Sequence, residues 1–312
     1  MLLITRQFMP EVMARARREH KTRELGLAGP SDSAVLLANL EGITAILCNN
    51  ADRFDADLIN ALPDSVKVIA TCSAGLDHID LDAARARGLE ICSTPGVLSD
   101  ATAEIALTLM LMAARRAGQG ERLVRSRQWH GFSAAGGLGW DVHGKILGIF
   151  GMGRIGQALA SMARGLKMQV HYHNRTRLPQ AQEAGAVYHE DERAFLGAID
   201  FLSINAPGGA STYHWLNAAR LAIMRPGAFV VNTGRGSVVD DAALIAALHS
   251  GHIAAAGLDV YENEPNINAG YYELENVVLL PHIGSATKET RHNMGFLALD
   301  EINRVMGVER GQ

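Results

Sequence analysis

Short apolar runs alternate with polar, helix-compatible stretches along most of this 312-residue chain. The early runs are Leu2–Ile4, Ala45–Cys48, Val66–Thr71 and Leu89–Cys92. The later ones are Ile146–Phe150, Met168–His173, Asp200–Asn205, Phe229–Asn232, Ala256–Val260 and Val277–Leu280. Each has the length of a strand and hands over to a polar or glycine-bearing loop. Glu11–Glu24 is charged and reads as helix, and Ala83–Gly88 reads as a helix end closed by glycine. Strands alternating with helices predict a parallel sheet. Ser99 or Asp100 can cap a long helix running through Gly118, because a short polar side chain accepts from free N–H groups. Its apolar face, with Ile105, Leu109, Met112 and Ala113, reads as core or subunit interface. Residues 119–144 mix arginines, glycines and aromatics and read as an irregular excursion, long enough to need a reason. Subunit contact is the first expectation for it, with Trp129 and Trp140 as packing residues. A final helix is expected from Ser285 to Val305.

One junction carries more than pattern. Lys145–Gly156 reads KILGIFGMGRIG, an apolar run leading straight into Gly151-Met152-Gly153-Arg154-Ile155-Gly156. The helix-compatible segment Gln157–Lys167 follows. Strand, tight glycine turn and helix together match the G-x-G-x-x-G arrangement in the context it requires. Gly151 can make the turn, Gly153 lets a pyrophosphate approach the backbone, and Gly156 lets helix and strand pack closely. The helix N-terminus then presents N–H groups and a partial positive charge to phosphates.

Composition narrows the setting. Apolar residues make up 48% and charged residues 20%, which is ordinary for a globular chain with ample core. The formal charge of −4 points to neither a nucleic-acid nor a membrane surface. Cys48, Cys72 and Cys92 are widely spaced and odd in number, which fits a reducing cytoplasm better than a disulfide framework or a zinc site. No metal is expected. The opening MLLITRQFMP is too short an apolar run for a signal peptide. The longest apolar segment, Ile105–Ala114, is far below the ~20 residues of a membrane span.

In a doubly wound parallel sheet the loops after the strands share one edge, so residues distant in sequence converge. Three of those loops carry groups able to do chemistry. Arg235, in TGRG, can grip a carboxylate with a planar fork. His282, in PHIG, can shuttle a proton near neutral pH, and a carboxylate such as Glu264, in YENEP, would orient it. The small-residue stretch Cys72–Asp77 exposes backbone N–H groups after another strand.

With these segments in view, the chain resembles the D-isomer-specific 2-hydroxyacid dehydrogenases. The resemblance rests on SAGLDHIDLDAARARGLEICSTPG, GMGRIG, NTGRGSVVDDAAL, AGLDVYENEP and PHIGSAT, which span nearly the whole chain. It implies an α/β architecture: a Rossmann-type dinucleotide-binding domain, 99–284, inserted into a flavodoxin-like substrate domain, 1–98 and 285–312. It also implies a homodimer built on the long helix and the 119–144 excursion. Carried over by position, the catalytic trio falls on Arg235, Glu264 and His282. The carboxylate-binding backbone loop falls on Ala74 and Gly75, with Arg235 and His282 also touching substrate. Cofactor contacts fall on Thr102, Gly153, Arg154, Ile155, Pro207, Thr212, Thr233, Asp259, His282 and Gly284, and the neighbouring Gly151, Gly156, Ala206 and Gly234 join them. The implied reaction is reversible hydride transfer between nicotinamide and a small 2-keto acid.

Cofactor choice is legible from one turn. In NAD enzymes an acidic residue stands about 20 residues beyond the glycines and accepts from the ribose hydroxyls. Here that position is Asn174, followed by Arg175, Thr176 and Arg177. Asn removes the repulsion an Asp would exert on a 2′-phosphate. Arg175 can pair with the phosphate, Thr176 can donate a hydroxyl, and Arg177 can add longer-range attraction. NADP is therefore expected over NAD, and among subgroups the chain resembles the NADP-dependent glyoxylate/hydroxypyruvate reductases most. Formate dehydrogenases resemble it less, because they carry Gln where Glu264 stands. The long phosphoglycerate dehydrogenases carry a further domain, and dehydrogenase-like corepressors carry extended tails. The alternatives kept open are a different keto-acid side chain and a non-catalytic, dinucleotide-binding regulator.

Overall fold

A computed structural model of the chain describes residues 1–308. They form two compact units, one from residues 1–98 together with the stretch beginning at Ser285, the other continuous over Ser99–Gly284. Each unit is built on its own parallel sheet.

The smaller unit contains β1 (Leu2–Ile4), β2 (Thr22–Glu24), β3 (Ala45–Cys48), β4 (Val68–Thr71) and β5 (Glu90–Cys92). They pair in the order β2-β1-β3-β4-β5, the flavodoxin-like order. Strands β1, β3 and β4 are wholly buried, so their sequences are continuously apolar rather than alternating. The helix Lys288–Met306 buries Met294, Ala298, Leu299 and Ile302. Thr287 caps it by accepting from the Thr290 N–H at 3.0 Å, which moves its start from the expected Ser285 to Lys288.

The larger unit contains β6 (Ile146–Phe150), β7 (Gln169–His173), β8 (Val187–Tyr188), β9 (Phe201–Ile204), β10 (Ala228–Asn232), β11 (Ile253–Leu258) and β12 (Val277–Leu279). Their order is β12-β11-β10-β9-β6-β7-β8. Numbered from β6, that is 3-2-1-4-5-6 with one added strand, the Rossmann arrangement, and the strand order reverses between β6 and β9. The helix Ser99–Arg115 lies directly on this sheet. It can do so because β11 has Gly257, where a Cβ would stand 2.8 Å from the Cβ of Leu109.

Several elements differ from the pattern reading, each for a physical reason. The segment read as one helix over Glu11–Glu24 is a helix only over Pro10–Glu19. Thr22–Glu24 is an edge strand parallel to β1, and its charged, half-exposed side chains disguise it. The helix expected to reach Gly118 stops at Arg115. Arg116 adopts a left-handed conformation, φ 54°, and a second helix, Ala117–Arg125, begins there. Residues 119–125, the start of the supposed irregular excursion, are therefore helical. Two-residue β8 is too short to register as a periodic run. The β11 strand begins three residues before the expected Ala256 and ends at Leu258. Among the described residues no helix is long and apolar enough to cross a membrane.

Candidate active site

The glycine turn after β6 shows three different reasons for glycine. Gly151 has φ 96°, and a Cβ there would meet the Ala206 nitrogen at 2.6 Å. A Cβ on Gly156 would meet the Gly151 carbonyl oxygen at 2.6 Å. Gly153 has neither constraint: its φ is −80°, and an added Cβ would find no atom within 4 Å. Gly153 is thus the one glycine of the turn that packing does not demand, and the space in front of it is open. No side chain caps the helix Arg154–Gly165 that starts there, so the N–H groups of its first turn, around Arg154 and Ile155, remain for an anion. This geometry fits a dinucleotide pyrophosphate.

At the end of β7, Asn174 turns its side chain inward. Its Oδ1 accepts from the Met152 N–H at 2.7 Å, tying the turn after β7 to the glycine turn. The amide NH₂ is not used in that bond and is left to donate. Arg175 and Thr176 are exposed. Arg177 is not free for long-range attraction as expected. It makes two bonds to Glu183, at 2.8 and 3.1 Å, and its guanidinium stands over the Tyr188 ring. Arg177 and the Tyr172 hydroxyl together hold the Glu183 carboxyl down at about 2.

The loops after β9 and β10 meet. A Cβ on Gly234 would stand 2.7 Å from the Ala206 carbonyl oxygen. The Thr233 hydroxyl donates to Asn205 Oδ1 at 3.2 Å. The Thr212 hydroxyl donates to the Pro207 carbonyl at 2.7 Å, so Thr212 shapes the loop between them. Asn232, buried at the end of β10, was not singled out from sequence. Its Oδ1 accepts from Gly234 N–H and its Nδ2 donates to the Arg235 carbonyl, both at 3.0 Å, so one side chain brackets the backbone that carries Arg235. Arg235 Nη1 also donates to the Gly234 carbonyl at 2.8 Å.

Gly236 brings this loop onto the next. A Cβ there would lie 1.7 Å from the Tyr261 carbonyl carbon, so only glycine lets the TGRG loop rest against YENEP. The two glutamates of YENEP take different partners. Glu262 pairs with His214 at 3.1 Å. Glu264 accepts from the Tyr261 N–H at 2.8 Å through Oε1, and its Oε2 stands 2.6 Å from His282 Nδ1. A carboxylate only accepts, so Nδ1 carries a hydrogen and Nε2 is the nitrogen left to act. Arg235, Glu264 and His282 are thereby gathered on adjoining loops at the C-terminal edge of one sheet.

His282 itself has φ 55°, a left-handed conformation that is costly for a side chain with a Cβ. Asp259, at the end of β11, holds it there. Its oxygens accept from the Ile283 and Gly284 N–H groups, both at 2.7 Å. Burial raises the Asp259 pKa, and the two backbone bonds oppose that shift. Thr102, buried on the helix Ser99–Arg115, lies against the same turn: a Cβ on Gly284 would stand 3.2 Å from Thr102 Cγ2 and from Asp259 Oδ2.

In the smaller unit, the turn after β4 leaves the N–H groups of Ala74, Gly75 and Leu76 without an acceptor among the described residues. Successive unpaired N–H groups form a concavity suited to an anion such as a carboxylate. Among the described residues, no group of three or more His, Cys, Asp or Glu is placed to hold a metal.

A Rossmann sheet with a glycine-turn anion site and a His–Glu pair on its loop edge defines a dinucleotide-dependent oxidoreductase. The family model described as the NAD-binding domain of D-isomer-specific 2-hydroxyacid dehydrogenases matches residues 107–284. The chain is 39% identical over 308 residues to a glycerate dehydrogenase of Hyphomicrobium methylovorum, covering 98% of this chain and 96% of that protein. It is 44% identical over 267 residues to a glyoxylate reductase of Thermococcus litoralis, covering 84% and 80%. A crystal structure of an NADPH-dependent glyoxylate/hydroxypyruvate reductase from Sinorhizobium meliloti, in complex with NADP and malonate, superposes with a TM-score of 0.88. The two are 33% identical, over 98% of this chain and 93% of that one. The chain belongs to the D-isomer-specific 2-hydroxyacid dehydrogenase family, and its cofactor is a nicotinamide dinucleotide.

The glycine turn yields a direct test. Gly153→Ala should leave the melting temperature at the parent value and weaken dinucleotide binding by roughly 5- to 150-fold, the cost of a misplaced methyl. Gly156→Ala should instead lower the melting temperature. Calorimetry on both variants checks this, and a destabilised Gly153→Ala protein that still binds normally would contradict it.

Proposed function

We propose that this chain reduces glyoxylate or hydroxypyruvate with NADPH, giving a D-2-hydroxy acid where the product is chiral. The observation that carries the proposal is the Glu264–His282 contact of 2.6 Å on the loop edge of a dinucleotide-binding sheet, with Arg235 on the abutting loop. The relatives' names supply the substrate class. Bound NADPH supplies the hydride. Arg235 binds the substrate carboxylate and polarises the keto oxygen. His282 delivers a proton from Nε2 to that oxygen while Nδ1–H stays on Glu264, which orients the ring. The Ala74–Gly75 turn binds carboxylate through its backbone N–H groups. The protein's contribution is alignment and proton supply; the redox chemistry belongs to the cofactor.

The preference for NADPH rests on Asn174 and Arg175. An uncharged amide with an NH₂ to donate, beside an exposed guanidinium, suits a phosphate, whereas an Asp would suit ribose hydroxyls. We also assign the protein to a homodimer in the cytoplasm. All three cysteines are buried free thiols. Within the larger unit Val124, Trp129, Phe132 and Leu138 stay exposed, Phe132 at 93%. Side chains of this size clustered in one segment call for a cover, and a second copy supplies it. Sedimentation at micromolar concentration checks this, and a monomer would refute it.

Two substitutions test the chemistry. His282→Ala should lower the reduction rate by roughly 10²–10⁴ with cofactor binding retained. Glu264→Gln keeps the shape but removes the carboxylate that holds Nδ1–H, so reduction should slow with cofactor binding retained, and an unchanged kcat would remove Glu264 from this role. For the cofactor, Arg175→Ala should raise the NADPH KM far more than the NADH KM, because a charge-assisted contact contributes about 1.5–3 kcal/mol. Equal losses for both cofactors would show that Arg175 does not read the 2′-phosphate.

A further inference from the structure

The turn Cys72–Asp77 rests on a row of buried polar side chains that neither the motif nor the resemblance accounts for. Thr71 ends β4 with no exposure, and Ser73 and His78 are at most 9% exposed. His78 Nε2 lies 3.0 Å from Thr71 Oγ1, Thr71 Oγ1 lies 3.2 Å from Ser73 Oγ, and Ser73 Oγ lies 2.6 Å from the Gly75 carbonyl oxygen.

The direction of this chain follows from one fixed end. A carbonyl oxygen only accepts, so the Ser73 hydroxyl spends its single hydrogen on Gly75. Ser73 must then accept from Thr71, which spends its own hydrogen in turn. Thr71 is left to accept, so His78 must carry a hydrogen on Nε2. Every bond points the same way, toward the Gly75 carbonyl, and bonds aligned in this manner polarise one another. Thr94 adds a brace from the side, since its N–H donates to the Ser73 carbonyl at 2.8 Å.

The effect falls on the peptide between Gly75 and Leu76. Its carbonyl is drawn into the protein, so in a trans peptide its N–H points the opposite way. That N–H belongs to the same set of three, with Ala74 and Gly75, that has no acceptor among the described residues. We propose that Thr71, Ser73 and His78 are positioning residues: a one-directional hydrogen-bond chain, started by His78 Nε2–H, that fixes the carboxylate-binding turn before substrate arrives and adds Leu76 N–H to its donors. The proposal rests on the assignment of that turn to the substrate carboxylate.

The test breaks the chain in the middle with little change of shape. Thr71→Val should raise the keto-acid KM by roughly 3- to 10-fold, the loss of about one hydrogen bond, with kcat and the NADPH KM within twofold of the parent. Thr71→Ser, which restores the hydroxyl, should return the KM to the parent value. Should the valine variant fold poorly, Ser73→Ala makes the same prediction from the next link. Nitrogen-15 NMR of the histidine rings supplies a readout that a merely structural role would not move: His78 should be protonated at Nε2. A bare Nε2, or a Thr71→Val protein with unchanged keto-acid KM, overturns the chain. Adding oxamate, a carboxylate analogue of the substrate, separates this from failure of the underlying assignment. The amide signals of Ala74, Gly75 and Leu76 should shift on binding. Signals that stay put while oxamate inhibits would overturn the turn's assignment, and the proposal with it. Signals that shift equally in parent and Thr71→Val, at equal affinity, would overturn the chain alone.

Discussion

Asp259 stands at the end of β11 with its two carboxylate oxygens committed to the N–H groups of Ile283 and Gly284, on the turn that follows β12. That double bond to backbone sets the direction of His282, the residue immediately before, and holds it in a left-handed conformation it would not choose. Everything else in the site is measured from there: Glu264 reaches His282 at 2.6 Å, and Thr102 and Gly284 close the space behind the turn. The arrangement carries a cost. Burial raises the Asp259 pKa above the ordinary carboxylate value, so the stability lost to ionising it appears as pH rises through that range and persists at neutral pH. A buried charge and a strained histidine on adjoining loops are tolerable because two wholly buried strands, β10 and β9, anchor the sheet beside them.

The same economy of backbone explains the glycines. Gly151, Gly234 and Gly236 each sit where a Cβ would strike main-chain atoms of a neighbouring loop, and Gly156 where it would strike the main chain of its own turn. They let the four loops after β6, β9, β10 and β11 pack against each other almost without side chains between. Gly153, in the same turn as Gly151 and Gly156, instead faces open space.

Much of this was legible in the sequence, because the strands of both sheets are short, apolar and followed by glycine or polar residues. The dinucleotide turn was readable from its flanking strand and helix rather than from the glycines alone. What escaped was local structure that violates the pattern. Thr22–Glu24 carries charge because it is an edge, and β8 has two residues. The helix break at Arg116 lies in left-handed backbone at a residue whose type gives no warning. In the site, Arg235, Glu264 and His282 stood out by chemistry and position. Asn232, which brackets Arg235, did not, and neither did the tie from Asn174 to Met152 or, in the smaller unit, the row from His78 to Ser73: each depends on hydrogen bonds that no spacing announces. Arg177 shows the converse, a charge that sequence offers to a ligand and the structure gives to Glu183.

The central claim is that His282 and the bound nicotinamide act on opposite needs of one keto acid, proton and hydride, with fixed stereochemistry. Hydroxypyruvate incubated with the unmodified protein and NADPH, followed by chiral chromatography of the glycerate formed, tests it most directly. The account predicts D-glycerate in equal amount to the NADPH consumed. L-glycerate, a racemate, or absence of turnover by a protein that still binds NADPH would contradict it.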